Sequence, residues 1–316
     1  MKVLVTGADG FVGRYALSAL RTAGHEVVAC HRAGSALPPW ASEGRFAGIE
    51  WRTLELGQQP SVGEAVRGSF DGVLHLAALS SGGAARRDPG LAWEVNAAGT
   101  ARVVEALASH VGGAAPGPVV IVVSSGEVYG AGGKAPLLET DAAAPVSPYA
   151  ASKLGSEVAA REAARRTGLR VIIARPFAHT GPGQLADFVV PAFLRRLREA
   201  RASGARTVDT GNLEPVRDYL DVRDVASAYV ALLQGGVAGE TYNIASGTGT
   251  SLRDLFGRLA GLVGADVEPV VDPALVRTAD IPYLVGNAAK LAAATGWSPR
   301  ISLDQTLKDM THAETH

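Results

Sequence analysis

Short apolar runs punctuate the first half of the chain: "KVLVT" (2–6), "HEVVAC" (25–30), "GIEWRTLEL" (48–56), "DGVLHLA" (71–77), "PVVIVVS" (118–124) and "LRVIIAR" (169–175). Most lack the strict alternation of a half-exposed strand, so they read as strands covered on both faces. Segments with helical periodicity lie between them, notably 11–23, 91–110 and 149–167. Strands and helices in alternation predict βαβ units, and hence a parallel sheet. Right-handed crossovers leave few topologies. After residue 175 the rhythm changes. "RPFAHTGPGQ" (175–184) is broken by Pro and Gly, a basic helix follows near 186–201, and shorter elements run on from there. The pattern predicts an α/β, doubly wound parallel sheet over 1–175. Residues 176–316 form mainly a smaller lobe over the carboxyl edge of that sheet, with some segments returning to it.

Composition narrows the classes. The 47% hydrophobic content and 38 glycines among 316 residues suit a large core between closely approaching elements. With 30 basic and 31 acidic side chains the formal net charge is −1, which gives no electrostatic footing for nucleic acid or an anionic membrane. The single cysteine, Cys30, excludes an internal disulfide and offers no thiolate metal cluster. No apolar run reaches the roughly 20 residues of a membrane span. "MKVLVTG" enters a strand directly, without a signal-peptide pattern, so a soluble cytoplasmic protein is expected.

Four places carry candidate chemistry. "TGADGFVG" (6–13) sets Gly7, Gly10 and Gly13 at the first strand–helix junction. Glycine there allows a tight turn and close approach of backbone to a pyrophosphate, and the helix start at Phe11 and Val12 offers free N–H groups. A purely structural turn is the alternative. The second strand ends "ACHRAG", with His31 and Arg32 where an acid would favour NAD, and a planar guanidinium suits the 2′-phosphate of NADPH. Arg32 as a solvated loop residue is the plainer reading. Leu76, Ala77 and Ala78 in "HLAALSS" (75–81) and Asn96 in "EVNAAGT" fit either a cofactor edge or packing. Ser125 and Glu127 follow the fifth strand in "VSSGEVYG", and "SPYAASK" (147–153) puts Tyr149 one helical turn before Lys153. A neighbouring ammonium pulls a phenol down from its usual pKa of about 10 and makes it a usable general acid.

Together the glycine triplet, "HLAA", "VN-x-x-GT", the Ser125 strand end and "SPYAASK" resemble the extended short-chain dehydrogenase/reductase family of nucleotide-sugar enzymes, over nearly the whole chain. The resemblance implies a Rossmann-type fold and a catalytic set of Ser125, Tyr149 and Lys153. It implies NADPH, with NADH possible, against Gly7, Gly10, Phe11, Val12, Arg32, Leu76, Ala77, Ala78, Asn96, Tyr149, Lys153 and Pro176. "RPFAHTGPGQ", "GNLEPVRDYLDVRDVASAY" (211–229), "RTADIPYLVGN" (277–287) and "KLAAATGWSP" (290–299) resemble the GDP-mannose branch. That branch implies a GDP-linked sugar held by Ser125, Glu127, Tyr149, His179, Arg217 and Arg277, and reduction of a 4-keto-6-deoxy sugar. Ion pairs with Asp218, Asp221 and Asp280 are the plainer reading of the two arginines. Ala178 stands where relatives carry Asn, a departure that touches a sugar contact. Three rivals remain: a GDP-mannose 4,6-dehydratase, whose pattern has a polar residue between Thr and the Glu; a 4-epimerase; and a non-catalytic dinucleotide sensor. The alanine-rich helices at 91–110 and 149–167 predict a homodimer through a four-helix bundle.

Overall fold

The computed structural model describes residues 1–109, 117–276 and 281–313. Six strands, β1 (Lys2–Thr6), β2 (Glu26–Arg32), β3 (Glu50–Leu54), β4 (Gly72–His75), β5 (Val119–Val123) and β6 (Arg170–Pro176), fall on the apolar runs. Between them lie α1 (Phe11–Thr22), α2 (Gln59–Ala65), α3 (Gly82–Arg87), α4 (Pro89–Trp93), α5 (Gly99–Ala108) and α6 (Pro148–Thr167). The second half contributes β7 (His179–Thr180), α7 (Val189–Ser203), β8 (Thr207–Thr210), β9 (Val216–Asp218), β10 (Leu220–Asp221) and α8 (Val222–Gly235). It continues with β11 (Thr241–Ile244), β12 (Gly249–Ser251), α9 (Leu252–Val263), β13 (Glu268–Val271), β14 (Tyr283–Leu284), α10 (Ala289–Thr295) and α11 (Leu303–His312).

The central sheet has the order β11-β6-β5-β4-β1-β2-β3, and all its pairings are parallel. Period-two geometry divides its side chains between two cores. Val3, Val5, Val119, Ile121, Ile172 and Ala174 face α1 and α8, while Leu4, Val120, Val122, Val171 and Ile173 face α2, α5 and α6. Burial on both faces explains why the runs are apolar throughout. Strand order reverses between β1 and β4, which opens a crevice at the carboxyl edge where ligands of such sheets bind.

The last sheet strand, β11, and its neighbour α8 come from the second half of the chain. The remainder of that half packs α7, α9 and α11 around a separate core that includes Leu194, Leu197, Leu255, Leu259 and Leu307. Small sheets β12-β9-β14, β10-β7 and β13-β8 complete it.

The helix expected over 91–110 is not continuous. It runs as α4, a single π-helical turn over Glu94–Ala98, and then α5. Such turns recur at functional sites, and this one carries Asn96. Among the described residues no helix is long and apolar enough to cross a membrane.

Candidate active site

The glycines of the first turn differ in what holds them. Gly7 has φ +66°, and a Cβ there would lie 2.7 Å from the Ala77 backbone nitrogen; one on Gly13 would lie 2.5 Å from the carbonyls of Gly7 and Ala8. Both are required by packing. Gly10 is different: a Cβ would meet only the Gly7 carbonyl, at 3.3 Å, so the space above it is open. Gly10 also caps α1 without a side-chain hydrogen bond, and no acid sits in the first turn at Phe11 and Val12. An uncapped helix start beside an open glycine is a cradle for an anion. Leu76, Ala77 and Ala78 line the adjacent loop, where the backbone of Leu76 and Ala77 donates to the Thr6 carbonyl and hydroxyl at 3.2 Å each.

At the end of β2 the structure adds what the sequence concealed. Arg32 is 78% exposed, yet it has acidic neighbours. Its backbone N–H donates to Asp9 Oδ2 at 3.3 Å, and Glu55 Oε2 lies 4.0 Å from its Nε. Parallel strands bring their carboxyl ends together, so acids from the β1 and β3 ends stand beside a β2 terminus that has none. His31 places a buried Nδ1 with no partner among the described residues at the same strand end.

Asn96 is turned inward. Its Oδ1 accepts from the Leu79 amide at 2.7 Å, and its Nδ2 donates to the Leu79 carbonyl (3.2 Å) and to Ser152 Oγ (2.9 Å). The Ser152 hydroxyl in turn donates to the Tyr149 carbonyl at 2.8 Å. The Asn96 amide is thus spent on protein groups, and the residue bears on a cofactor through the loop and the helix it ties together. The π turn sets this side chain in the gap between them. Buried His75 continues the ties, between Thr6 Oγ1 (2.7 Å) and Thr100 Oγ1 (3.1 Å); burial and nearby Lys153 push it down to about 3, so it is neutral.

Ser147 caps α6 by accepting from the Ala150 amide, Pro148 fills the first turn, and Gly168 ends the helix at φ +76°. This places Tyr149 and Lys153 on one stripe beside the β5 end. Ser125 follows β5, accepts the Glu127 amide at 3.1 Å, and sets its hydroxyl near the Tyr149 phenol. Burial raises that phenol above its ordinary value, the Glu127 carboxylate adds to the rise, and the Ser125 hydroxyl partly offsets it. The expected downward pull of Lys153 does not prevail. Lys153 is itself buried and is pushed down to about 8, with Glu157 opposing that shift, so its ammonium is only partly retained in the alkaline range.

On the lobe side, Pro176 ends β6 against Ile244 of β11. His179 bonds the Phe177 carbonyl through Nδ1 at 2.9 Å, and burial lowers its pKa. Arg217 Nη1 donates to the carbonyls of Val216 (2.9 Å) and Ile281 (2.6 Å). Two of the three aspartates of the ion-pair reading make bonds to other groups. Asp218 accepts from the Ser246 amide and hydroxyl, Gly247 and Gly286, and Asp221 pairs with Arg223. Arg277 and Asp280 lie outside the described residues.

Residues 4–310 match the GDP-mannose 4,6 dehydratase family. The GDP-6-deoxy-D-mannose reductase of Pseudomonas aeruginosa is 34% identical over 97% of this chain and 95% of its own length. Among solved structures, that of RMD from Pseudomonas aeruginosa complexed with NADPH is 32% identical, covers 98% of this chain and 97% of its own, and superposes with a TM-score of 0.80. The UDP-glucose 4-epimerase of Thermus thermophilus, solved with NAD, is 28% identical, covers 98% of each chain and reaches 0.85. With its fold, uncapped glycine turn and Ser–Tyr–Lys strand end, the chain belongs to the GDP-mannose 4,6 dehydratase family of the extended short-chain dehydrogenase/reductases, the NAD(P)-dependent enzymes of nucleotide sugars.

Proposed function

We propose that this enzyme reduces the C4 ketone of GDP-4-keto-6-deoxymannose with NADPH, giving GDP-6-deoxy-D-mannose (GDP-D-rhamnose). The open cradle at Gly10, the uncapped start of α1 and the exposed guanidinium of Arg32 fit a phosphorylated dinucleotide. NADPH, when bound, supplies the hydride that C4 receives. Tyr149 gives its phenolic proton to the oxygen that becomes the C4 hydroxyl, and Ser125 hydrogen-bonds the same oxygen. Lys153, charged below about pH 8, stabilises the tyrosinate left behind.

The observation that carries this reading is the state of Tyr149. With its pKa raised by burial and by Glu127, and with the Ser125 hydroxyl near it, the phenol is held as a protonated donor. Reduction of a ketone needs a donor, whereas a reaction that begins at a C4 alcohol needs the tyrosinate as base. Glu127 beside Tyr149 favours the dehydratase as the second reading. Against it, the neighbouring position is Gly126, where a Cβ would press on the Phe177 ring at 3.0 Å, so the polar residue of the dehydratase pattern would need that ring to shift by a few tenths of an ångström. Turnover of GDP-4-keto-6-deoxymannose tests the proposal: one NADPH should be consumed per product of 6-deoxy-mannose configuration. Conversion of GDP-mannose without net NADPH use would replace it with dehydration.

We also propose the homodimer. Trp93 and Val158 are 48% and 62% exposed, and with Leu154 and Gly155 they line an apolar hollow between α4 and α6. A two-fold copy of these helices buries that hollow in a four-helix bundle.

A further inference from the structure

The stripe of α6 that carries Tyr149 and Lys153 continues inward to Glu157, which is 1% exposed. Its Oε1 accepts from Ser124 Oγ at 2.6 Å and from Arg175 Nε at 2.8 Å, and its Oε2 accepts from Arg175 Nη2 at 2.7 Å. Ser124 immediately precedes Ser125, and its amide donates to the Ala174 carbonyl at 2.7 Å. Arg175 on β6 is also buried, with its guanidinium 4.7 Å over the Tyr129 ring and its Nη1 without a partner among the described residues. A buried ion pair is seldom a net gain in stability over apolar packing. This one joins the catalytic helix to the ends of the two strands beside it, next to a buried lysine.

We propose that Glu157, clamped by Arg175 and Ser124, is a positioning residue that keeps Lys153 charged and fixes the Ser125 strand end against Tyr149. The carboxylate lies one helical turn beyond Lys153, where it favours the ammonium. The Arg175 guanidinium bound to that carboxylate carries the opposite charge, so removal of one partner or the other is expected to move Lys153 in opposite directions. The other titratable groups around this part of α6 include His75 from β4, Glu127 and Tyr129 after β5, Tyr229 from α8, and Tyr149 and Arg161 on the helix itself. Arg86, Arg87, Glu94 and Glu105 of the helices packed against α6 are exposed. His75 is neutral, and Arg161 stands 4.0 Å from Glu157 at the end away from Lys153. Glu157 is therefore the anion on the buried side of Lys153.

The inference rests on Tyr149 and Lys153 acting as proposed above, and its test separates the two. The chain has five lysines, so the Lys153 signal in apoprotein labelled at lysine Cε is identified by its loss in Lys153→Met. Titration of that signal reads the charge of Lys153 without cofactor or substrate. Glu157→Gln should lower its midpoint by about one unit, Arg175→Met should raise it, and Glu157→Asp should restore it towards wild type. The alkaline limb of kcat should move with each midpoint while KM for the nucleotide sugar stays within about twofold. Should Glu157→Gln fail to fold, Arg175→Met and Glu157→Asp decide by the same signs. A packing role alone would leave Lys153 unmoved, or move it the same way in the Gln and Met variants, and either result overturns the inference. Opposite shifts in a protein that reduces no ketone would support Glu157 and sink only the reaction.

Discussion

The two ends of the crevice are built on different principles. On the sheet side, regular elements place the proposed catalytic groups: Ser125 follows a five-residue buried strand, and Tyr149 and Lys153 ride a 20-residue helix. On the lobe side the strands are two to four residues long and bury little by themselves. There, buried carboxylates do the joining. Asp218 accepts four bonds, from the amide and hydroxyl of Ser246 (2.9 and 2.5 Å) and the amides of Gly247 (2.9 Å) and Gly286 (3.2 Å), tying β9 to two loops. Asp221 takes Arg223 in a two-pronged pair and the Thr306 hydroxyl at 2.7 Å, tying β10 to α11. Ser125 and Tyr149 on the sheet side are thus free to be chemical, because buried strands, packed helices and the polar ties of Asn96, His75 and Glu157 beneath them carry the scaffold. On the lobe side polar side chains are part of the scaffold.

The difference is sharpest at Tyr149. Tyr149→Phe keeps the ring and removes the proton donor, so kcat should fall by about 10²-fold or more while NADPH affinity and melting temperature stay near wild type. Stopped-flow turnover beside a fluorescence titration of NADPH checks both halves. Near-normal turnover would remove Tyr149 from the chemistry.

Asp218→Ala should show the opposite profile. It strands four donors: the amide of buried Gly286, worth roughly 1–3 kcal/mol when left without a partner, and three on the more exposed Ser246–Gly247 turn, which water can satisfy. The expected result is a lower melting temperature and a KM for the nucleotide sugar raised tenfold or more, with NADPH affinity nearly unchanged. If NADPH binding weakened as much as sugar binding, the two sides would not be separable in this way.

How much of this was legible in the sequence follows the same division. Strands covered on both faces announce themselves by composition, and a Tyr–Lys pair four apart announces a helix face. The gathering of Ser125, Tyr149 and Lys153 at the end of one buried strand was therefore readable residue by residue. The break of the helix at 94–98 was not, because it answers to Asn96 reaching Leu79 and Ser152, contacts distant in sequence. Nor were Asp9 and Glu55 readable beside Arg32, since only the parallel register sets these strand ends together. Glu157 left one signal, its place one turn beyond Lys153, but its partners Ser124 and Arg175 come from other elements. In the lobe, strands this short carry no periodicity.

Those acids sharpen a smaller prediction. Arg32→Ala should weaken NADPH by about fivefold and NADH by less than twofold, since only NADPH carries the extra phosphate and an exposed guanidinium contributes the low end of a charged hydrogen bond. Asp9→Asn with Glu55→Gln should favour NADPH further by removing negative charge from the same corner. Equal losses of both cofactors in Arg32→Ala would make the arginine a packing residue. Calorimetric titration of the two cofactors distinguishes these outcomes.

The smallest expected effect on turnover concerns the outer face of α6, whose inner face carries Tyr149, Lys153 and Glu157. Gly155 lies beneath Trp93, where a Cβ would come within 2.6 Å of the indole ring, so α4 and α6 meet closely and leave Trp93 and Val158 outward. Val158→Glu puts a charge into that apolar hollow, and a bundle of two copies would then bury two carboxylates against each other at considerable cost. Light scattering at micromolar concentration should give about twice the 32.5 kDa chain mass for wild type and the single-chain mass for the variant. Because the sheet already holds α6 in each subunit through Ser124 and Arg175, kcat should fall by less than about threefold. Loss of assembly with a large loss of kcat would mean that the partner helps to hold the catalytic helix, and the sheet side would then not stand alone. A wild-type protein that is monomeric and fully active would leave the exposed Trp93 and Val158 without this role.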